Sequence, residues 1–353
     1  MEGSEAQLNL RSHLLAGQVI PAHPLALTPA RELDERRQRA LTRYYVAAGA
    51  GGLAVGVHTT QFAIRKFGLY RPVLELAART VRESLAASPR PLALVAGLVG
   101  DTRSAVHEAE TAAALGYHAG LLSLGGMSDS TDAQLVRHCR AVAEVLPLVG
   151  FYLQPAVGGR VLDYAFWREL AEIPSLVAIK IAPFDRYRTL DVVRAVSAAG
   201  RDDVALYTGN DDSIIVDLLT PFPAEAGGAL TERRMVGGLL GQWAVWTRRA
   251  VELLEEVKAA RGSGMLDRGW LRRAAALTDA NGAIFDARNG FAGCIPGIHE
   301  MLRRQGLMRG TWTLDTRERL GPGQAAELDR VTRAYPELTD DEFVAERLDD
   351  WLR

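Results

Sequence analysis

Residues 150–180 read GFYLQPAVGGRVLDYAFWRELAEIPSLVAIK, two apolar strand-like runs bracketing a helix-like piece. The first run ends at Tyr152 and the second at Lys180. Lysine is depleted in strands, yet Leu176, Val177, Ala178 and Ile179 before it and Ile181 and Ala182 after it read as buried. Taking an ammonium out of water is expensive unless it is paired or gives up its proton. An amine poised to lose its proton is a nucleophile toward a carbonyl. The plainer alternative is a strand-end lysine whose head stays in solvent.

Spacing favours the chemical reading. Strand candidates LALVA, GLLSL, LVGFY, LVAIK and VALYT start at Leu92, Gly120, Leu148, Leu176 and Val204, each 28 residues after the last. Helical periodicity fills the intervals, as with Leu135, Cys139 and Val142, or Leu190, Val193 and Val196. Continuously apolar strands alternating with helices indicate a parallel sheet covered on both faces, and a fixed period indicates a βα repeat. Tyr152 and Lys180 hold the same place in successive units, the C-terminal end of the strand, where α/β barrels carry their chemistry. The fold class is therefore α/β, a (β/α)8 TIM barrel with a C-terminal helical extension.

The rest of the chain fits eight units. Residues 19–27, VIPAHPLAL, read as the first strand, residues 32–48 as a helix and residues 53–57 as the second strand. That strand runs into His58, Thr59, Thr60 and Gln61. Two hydroxyls and exposed backbone amides past a strand end suit a carboxylate; the alternatives are a Ser/Thr helix cap and a packed histidine. Residues 125–131, GGMSDST, form a loop placed to cover the site. After the seventh strand, Gly209 and Asn210 read as pocket lining, with Asp211 or Asp212 as a helix N-cap. No further ligand-type residue stands beside these acids at metal spacing, so no metal is expected. Residues 220–234 read as an insertion and residues 237–241 as a glycine-rich eighth strand. The units end near Ala260, dividing the chain into a barrel carrying the active site, residues 1–260, and a helical region, residues 261–353. Thr339 and Glu342 are spaced as a capping box for a last helix.

Composition excludes several classes. With 48% hydrophobic and 24% charged residues, the 353-residue chain has an ordinary globular balance. A net charge of −2 lacks the basic face of a nucleic-acid binder. Cys139 and Cys294 lie far apart in helix-like segments and read as free thiols in a reducing compartment. Residues 1–11 show no secretory pattern. Residues 44–64 carry no Lys, Arg, Asp or Glu, but Gly49, Gly51, Gly52 and Gly56 make a glycine turn before a strand the better reading than a membrane span. A cytoplasmic protein without membrane or nucleic-acid partners is expected.

The ordered set IPAHPLALTP, GGLAVGVHTTQF, FYLQP, LVAIKIA and YTGNDD resembles the dihydrodipicolinate synthase / N-acetylneuraminate lyase family of class I aldolases, over roughly residues 19–308. The resemblance implies Lys180 as the Schiff-base lysine, Tyr152 as its proton-shuttling neighbour, and Thr59 and Thr60 as the pair that holds a 2-oxo acid carboxylate. It also implies a homo-oligomer, dimer or tetramer, with a small-molecule 2-oxo acid substrate and no cofactor beyond the covalent Schiff base. The lysine-pathway synthases carry Pro-Tyr-Tyr after the fourth strand, where this chain has Leu124-Gly125-Gly126-Met127. They place an arginine two residues beyond the proline after the tyrosine; here Pro155 is followed by Ala156 and Val157, with Arg160 the nearest arginine. Gln61-Phe62 replaces the glutamate after the threonine pair. The expectation is a Schiff-base lyase that makes or cleaves a C–C bond of a less polar or sugar-derived 2-oxo acid. The alternatives are a Schiff-base dehydratase or decarboxylase of a sugar acid, and a non-catalytic binding barrel that retains the lysine.

Overall fold

The computed structural model describes residues 8–353; the first seven residues of the stretch read for a signal lie outside them. In chain order the strands are β1 (Val19–Pro21), β2 (Gly52–Val55), β3 (Ala93–Leu98), β4 (Ala119–Leu122), β5 (Leu148–Leu153), β6 (Leu176–Ala182), β7 (Ala205–Thr208), β8 (Phe222–Ala226), β9 (Ala229–Arg233) and β10 (Met235–Leu240). Eight of them pair in parallel in the order β1-β10-β7-β6-β5-β4-β3-β2, and a parallel bridge between Ala22 and Ala54 links the two ends. The result is a (β/α)8 barrel. β1 is shorter than its apolar run because Pro21 and Pro24 have no N–H to give a ladder. Residues 220–234 contain the antiparallel hairpin β8–β9, turned at Gly227 and Gly228 with φ of 59° and 81°. Two successive left-handed residues make the tight hairpin turn that Gly-Gly favours.

The helices are α1 (Leu10–Leu15), α2 (Glu35–Ala48), α3 (Tyr70–Ala86), α4 (Thr102–Ala114), α5 (Asp132–Ala143), α6 (Tyr164–Leu170), α7 (Arg186–Ala198), α8 (Ile214–Leu219), α9 (Thr247–Gly262), α10 (Gly269–Ile284), α11 (Cys294–Arg304) and α12 (Gln324–Ala334), with short turns at Asp341–Ala345 and Leu348–Trp351. Helix starts follow local chemistry: Asp34, Asp101, Thr131, Asp163 and Asp185 each accept a backbone N–H of the first turn. The capping box expected at Thr339 does not form, because its hydroxyl donates to Pro336 O (3.0 Å) and the last turn begins at Asp340 without a side-chain cap. α1 closes the bottom of the barrel, with Leu14 packed among the interior residues and Leu14 O accepting the Tyr207 hydroxyl (2.8 Å).

Two apolar layers result. Ile20, Ala54, Val95, Leu121, Val149, Phe151, Ala178 and Leu239 fill the interior, and a larger layer lies between the strands and the helices. The C-terminal helices join that outer layer through Ile284, Ile298, Leu302, Leu328 and Trp351, alongside Tyr44 and Tyr45 of α2. The region after residue 260 therefore shares its core with the barrel. Among the described residues no helix is long and apolar enough to cross a membrane.

Candidate active site

β6 carries Lys180 into the barrel mouth, where it is 8% exposed. Its neighbours leave room for it: a side chain on Gly209 would meet Lys180 Cε at 2.8 Å and the Ala182 Cβ at 2.7 Å. The ammonium lies 4.5 Å from the Phe151 ring centroid. Among the described residues it has no hydrogen-bond acceptor and no ion-pair partner. Burial pushes its pKa down to about 8, against the opposing pull of the Asp211 and Cys294 side chains. The amine is thus partly neutral near physiological pH, as nucleophilic attack requires.

A narrow cavity of about 60 Å³ opens over Lys180. His58, Thr59, Gln154, Asp211 and Cys294 supply its polar side chains, and Phe151, Phe184, Phe285 and Phe291 dominate its walls. Asp211 is held by Gln242 N, which donates to Oδ1 (3.3 Å), and by Asn281 Nδ2, which donates to its main-chain O (2.7 Å). Burial raises its pKa to about 7, with Lys180 acting the other way. Burial lowers His58 to about 4, helped by the nearby Lys180 charge, so its imidazole is neutral. Burial raises the Cys294 thiol, and Asp211 adds to the effect, so the thiolate is suppressed. Phe184 and Phe291 both have left-handed backbones, φ 52° and 68°, and meet edge to face at 5.9 Å. Bulky residues at positive φ are costly and collect at functional sites.

Of the residues singled out from sequence, Lys180, Thr59 and Gly209 line this cavity and three others do not. Tyr152 is buried in the outer layer, 5.1 Å from the Trp167 ring. Its hydroxyl donates to Leu162 O (2.9 Å) and accepts from Leu162 N (3.2 Å). The cause is a bulge: Leu148 pairs with Leu176, 28 residues on, but Val149 pairs with Ala178, 29 on, and Phe151 with Lys180. The extra residue is Val177 of β6: Val177 and Ala178 both face the interior, so β6 beyond them turns Lys180 inward, while β5 alternates unbroken with Val149, Phe151 and Leu153 inside and Tyr152 outside. Thr60 is turned into the chain, donating to His23 O (2.6 Å) and accepting from Gly56 N (3.0 Å). Asn210 faces away as well: its Oδ1 accepts Phe184 N (3.0 Å) and its Nδ2 donates to Asp217 (2.9 Å). It is a positioning residue that supports the strained turn at Phe184.

The N-cap place expected for Asp211 or Asp212 is taken by Ser213, which precedes α8 and gives it no side-chain cap. Phe285, Phe291 and Cys294 come from the C-terminal region, so the cavity is not built by the barrel alone. The Thr59 hydroxyl donates to Ala22 O (2.7 Å) and must re-aim to hold a carboxylate. The loop at residues 125–131 is tied down by Arg160, which donates to Met127 O (2.6 Å) and Ser130 O (3.2 Å). That arginine is spent outside the cavity. Among the described residues no group of three or more His, Cys, Asp or Glu is arranged to hold a metal.

An eight-stranded parallel barrel with a buried lysine at its mouth defines a class of protein, and the comparisons place the chain within it. Residues 16–221 match the dihydrodipicolinate synthetase family. The chain belongs to that family, and its matched relatives are enzymes. A 4-hydroxy-tetrahydrodipicolinate synthase of Cyanothece sp. is 28% identical over 211 residues, 58% of this chain and 66% of the relative, just under two thirds of its length. The solved dihydrodipicolinate synthase of Oceanobacillus iheyensis superposes with a TM-score of 0.72 at 19% identity, covering 93% of this chain and 99% of that one. A prophage protein of the same family from E. coli K12, solved in complex with pyruvate, superposes at 0.69 with 18% identity, covering 91% and 98%.

Proposed function

We propose that this protein is a Schiff-base lyase that makes or cleaves a C–C bond of a 2-oxo acid whose remaining part is apolar or aromatic. The observation that carries the reading is Lys180 itself, a buried strand-end amine without a salt-bridge partner, facing a cavity it shares with Asp211 and His58.

The neutral Lys180 amine attacks C2 of the substrate, one of its protons moves to the former carbonyl oxygen to give a neutral carbinolamine, and departure of that hydroxyl as water, with one further proton, leaves an iminium. Asp211, poised to be protonated part of the time, supplies the proton for the departing hydroxyl. The resulting carboxylate then takes the proton from the C4 hydroxyl as the C3–C4 bond breaks, with the iminium accepting the electron pair as an enamine. Reprotonation at C3 and hydrolysis release the 2-oxo acid and the amine. Asp211 thus performs the work that the family resemblance assigns to Tyr152, and neutral His58 is a second acceptor. The four phenylalanines give the walls their character, and Lys180 is the one Lys or Arg that lines the cavity among the described residues. Those walls favour an apolar aldehyde half over a polyhydroxylated or dicarboxylate one, and at about 60 Å³ the cavity admits an aromatic ring only when the Phe184 and Phe291 rings move apart. The cytoplasm is the compartment where such a soluble enzyme with unpaired Cys139 and Cys294 fits, and a homo-oligomer is part of the proposal.

A second reading, a binding barrel that keeps Lys180 without turnover, draws on the outward position of Tyr152. Borohydride trapping with pyruvate and with aromatic 4-hydroxy-2-oxo acids separates the two. A reduced adduct on the Lys180 peptide, with pyruvate and an aromatic aldehyde released when borohydride is omitted, supports the lyase. Absence of an adduct with every 2-oxo acid of the panel overturns it.

A further inference from the structure

We propose that a second cavity, beside the barrel mouth, binds a small carboxylic acid with an apolar body, and that its occupancy is felt at Asp211. The cavity lies between α8, α9, α10 and the short turn Gln242–Ala244, and encloses about 250 Å³. Ile215, Leu253, Leu277 and Leu338 make it apolar. Roughly 150 Å³ suffices for benzene in a dry cavity, so a ring and a carboxylate fit.

Its polar groups indicate the ligand. Gln242 Oε1, Trp243 Nε1 and Trp246 Nε1 belong to lining residues that are at least nine-tenths buried, and none has a hydrogen-bond partner among the described residues. Buried polar groups are nearly always paired, so three orphans around one cavity need an explanation. Two of them are donors, which ask for an acceptor. Arg249 and Arg273 add positive charge at the edge, where Glu256 and Glu337 also line the cavity; Arg273 pairs with Glu256, and Arg249 with Glu252 outside the lining. Trp246 is also held at φ 56°, a strained backbone of the kind that persists at binding sites. A carboxylate satisfies the two indole N–H groups once they turn toward it, and an apolar body covers the leucines.

The link to the barrel mouth is covalent and short. Gln242 lines this cavity, and its backbone N–H donates to Asp211 Oδ1. Asn281, on the helix that supplies Leu277, donates to Asp211 O while its own Oδ1 is unpartnered. A ligand that shifts this turn or α10 therefore changes how Asp211 is held. This second half rests on the proposed role of Asp211; the binding itself does not.

Calorimetric titration of the full chain with phenylacetate tests it, with tryptophan fluorescence as a parallel readout. Saturable binding is expected in the wild type and in Lys180→Ala. It should weaken at least tenfold in Leu277→Trp, which fills the cavity, and several-fold in Trp246→Phe, which removes one donor. If circular dichroism shows Leu277→Trp unfolded, Trp246→Phe decides. No saturable binding overturns the proposal. So does binding that disappears when pyruvate is trapped on Lys180 and ignores both substitutions, since that places phenylacetate at the barrel mouth. Saturating phenylacetate should also change the pyruvate trapping rate at least twofold. An unchanged rate overturns the coupling, while absence of trapping in any condition overturns the lyase reading and leaves the binding result standing.

Discussion

Tyr152 and Lys180 lie near the ends of adjacent strands of one barrel, one residue apart in register, and their surroundings are opposite. Tyr152 is sealed between strand and helix, its hydroxyl paired with the two backbone groups of Leu162. Lys180 is equally hidden from solvent, yet it has no polar partner and borders a cavity. A buried polar group that is fully paired contributes to stability. One left unpaired costs stability and changes its protonation, which is how reactive groups are made. The difference separates structure from chemistry more sharply than sequence position does.

The comparison can be broken by substitution. Lys180→Ala should have the largest effect: no borohydride adduct, and lyase activity lower by at least roughly a thousandfold, as when a covalent nucleophile is removed. Residual adduct on another lysine, found by peptide mapping, would falsify the assignment. Asp211→Asn should retain the fold and lower activity by roughly 10² to 10⁴, the usual range for general acid–base groups. Activity within threefold of wild type would exclude Asp211 as the proton carrier. Gly209→Ala should come next. The added methyl displaces Lys180 Cε and Ala182, and trapping should slow by about tenfold or more in a chain that still melts cooperatively. Unchanged trapping would mean that Lys180 is not held where the structure puts it.

The pH profile sharpens the same contrast. Burial lowers the Lys180 pKa to about 8; the charged form dominates below that value and the nucleophilic neutral form above it. Pyruvate trapping at a fixed reductant supply should therefore rise with pH as Lys180 loses its proton and fall again as Asp211 loses the one it donates, with an optimum between about 7 and 8. A rise that continues to the ordinary lysine range near 10.4 would show an amine open to water. For Tyr152→Phe the smallest catalytic effect is expected, less than about threefold. The stability loss should be about 1–3 kcal/mol, because a buried Leu162 N–H and C=O lose their partner; thermal or denaturant melts measure it.

Much of the fold was legible because a barrel repeats. The 28-residue spacing marks β3 to β7 within one residue of their starts, and the lysine stands out against its apolar strand. Thr59 and Gly209 could be placed since they sit where strands end. The misplacements have local causes. A bulge at Val177 of β6 is invisible in hydrophobicity, since Val177 sits in an unbroken apolar run. Asn210 and Asp211 are adjacent polar residues past a strand, and which of them faces in depends on Asp217 and Thr189 capturing the asparagine. Phe285, Phe291 and Cys294 reach the cavity from beyond the last repeat, where no period predicts contact. Residues 220–234 read only as an insertion, and the hairpin within them was not legible because its exposed second strand lacks apolar alternation.

The central claim is that proton transfer at Lys180 has passed from the outward tyrosine to the inward aspartate. The direct test is the rate of borohydride-trapped pyruvate adduct on Lys180 in wild type, Tyr152→Phe and Asp211→Asn, measured side by side from pH 6 to pH 9. The account predicts that Tyr152→Phe follows the wild-type curve and that Asp211→Asn is slowed at least tenfold at neutral pH with an altered profile. Slow trapping in Tyr152→Phe with a wild-type rate in Asp211→Asn would contradict it.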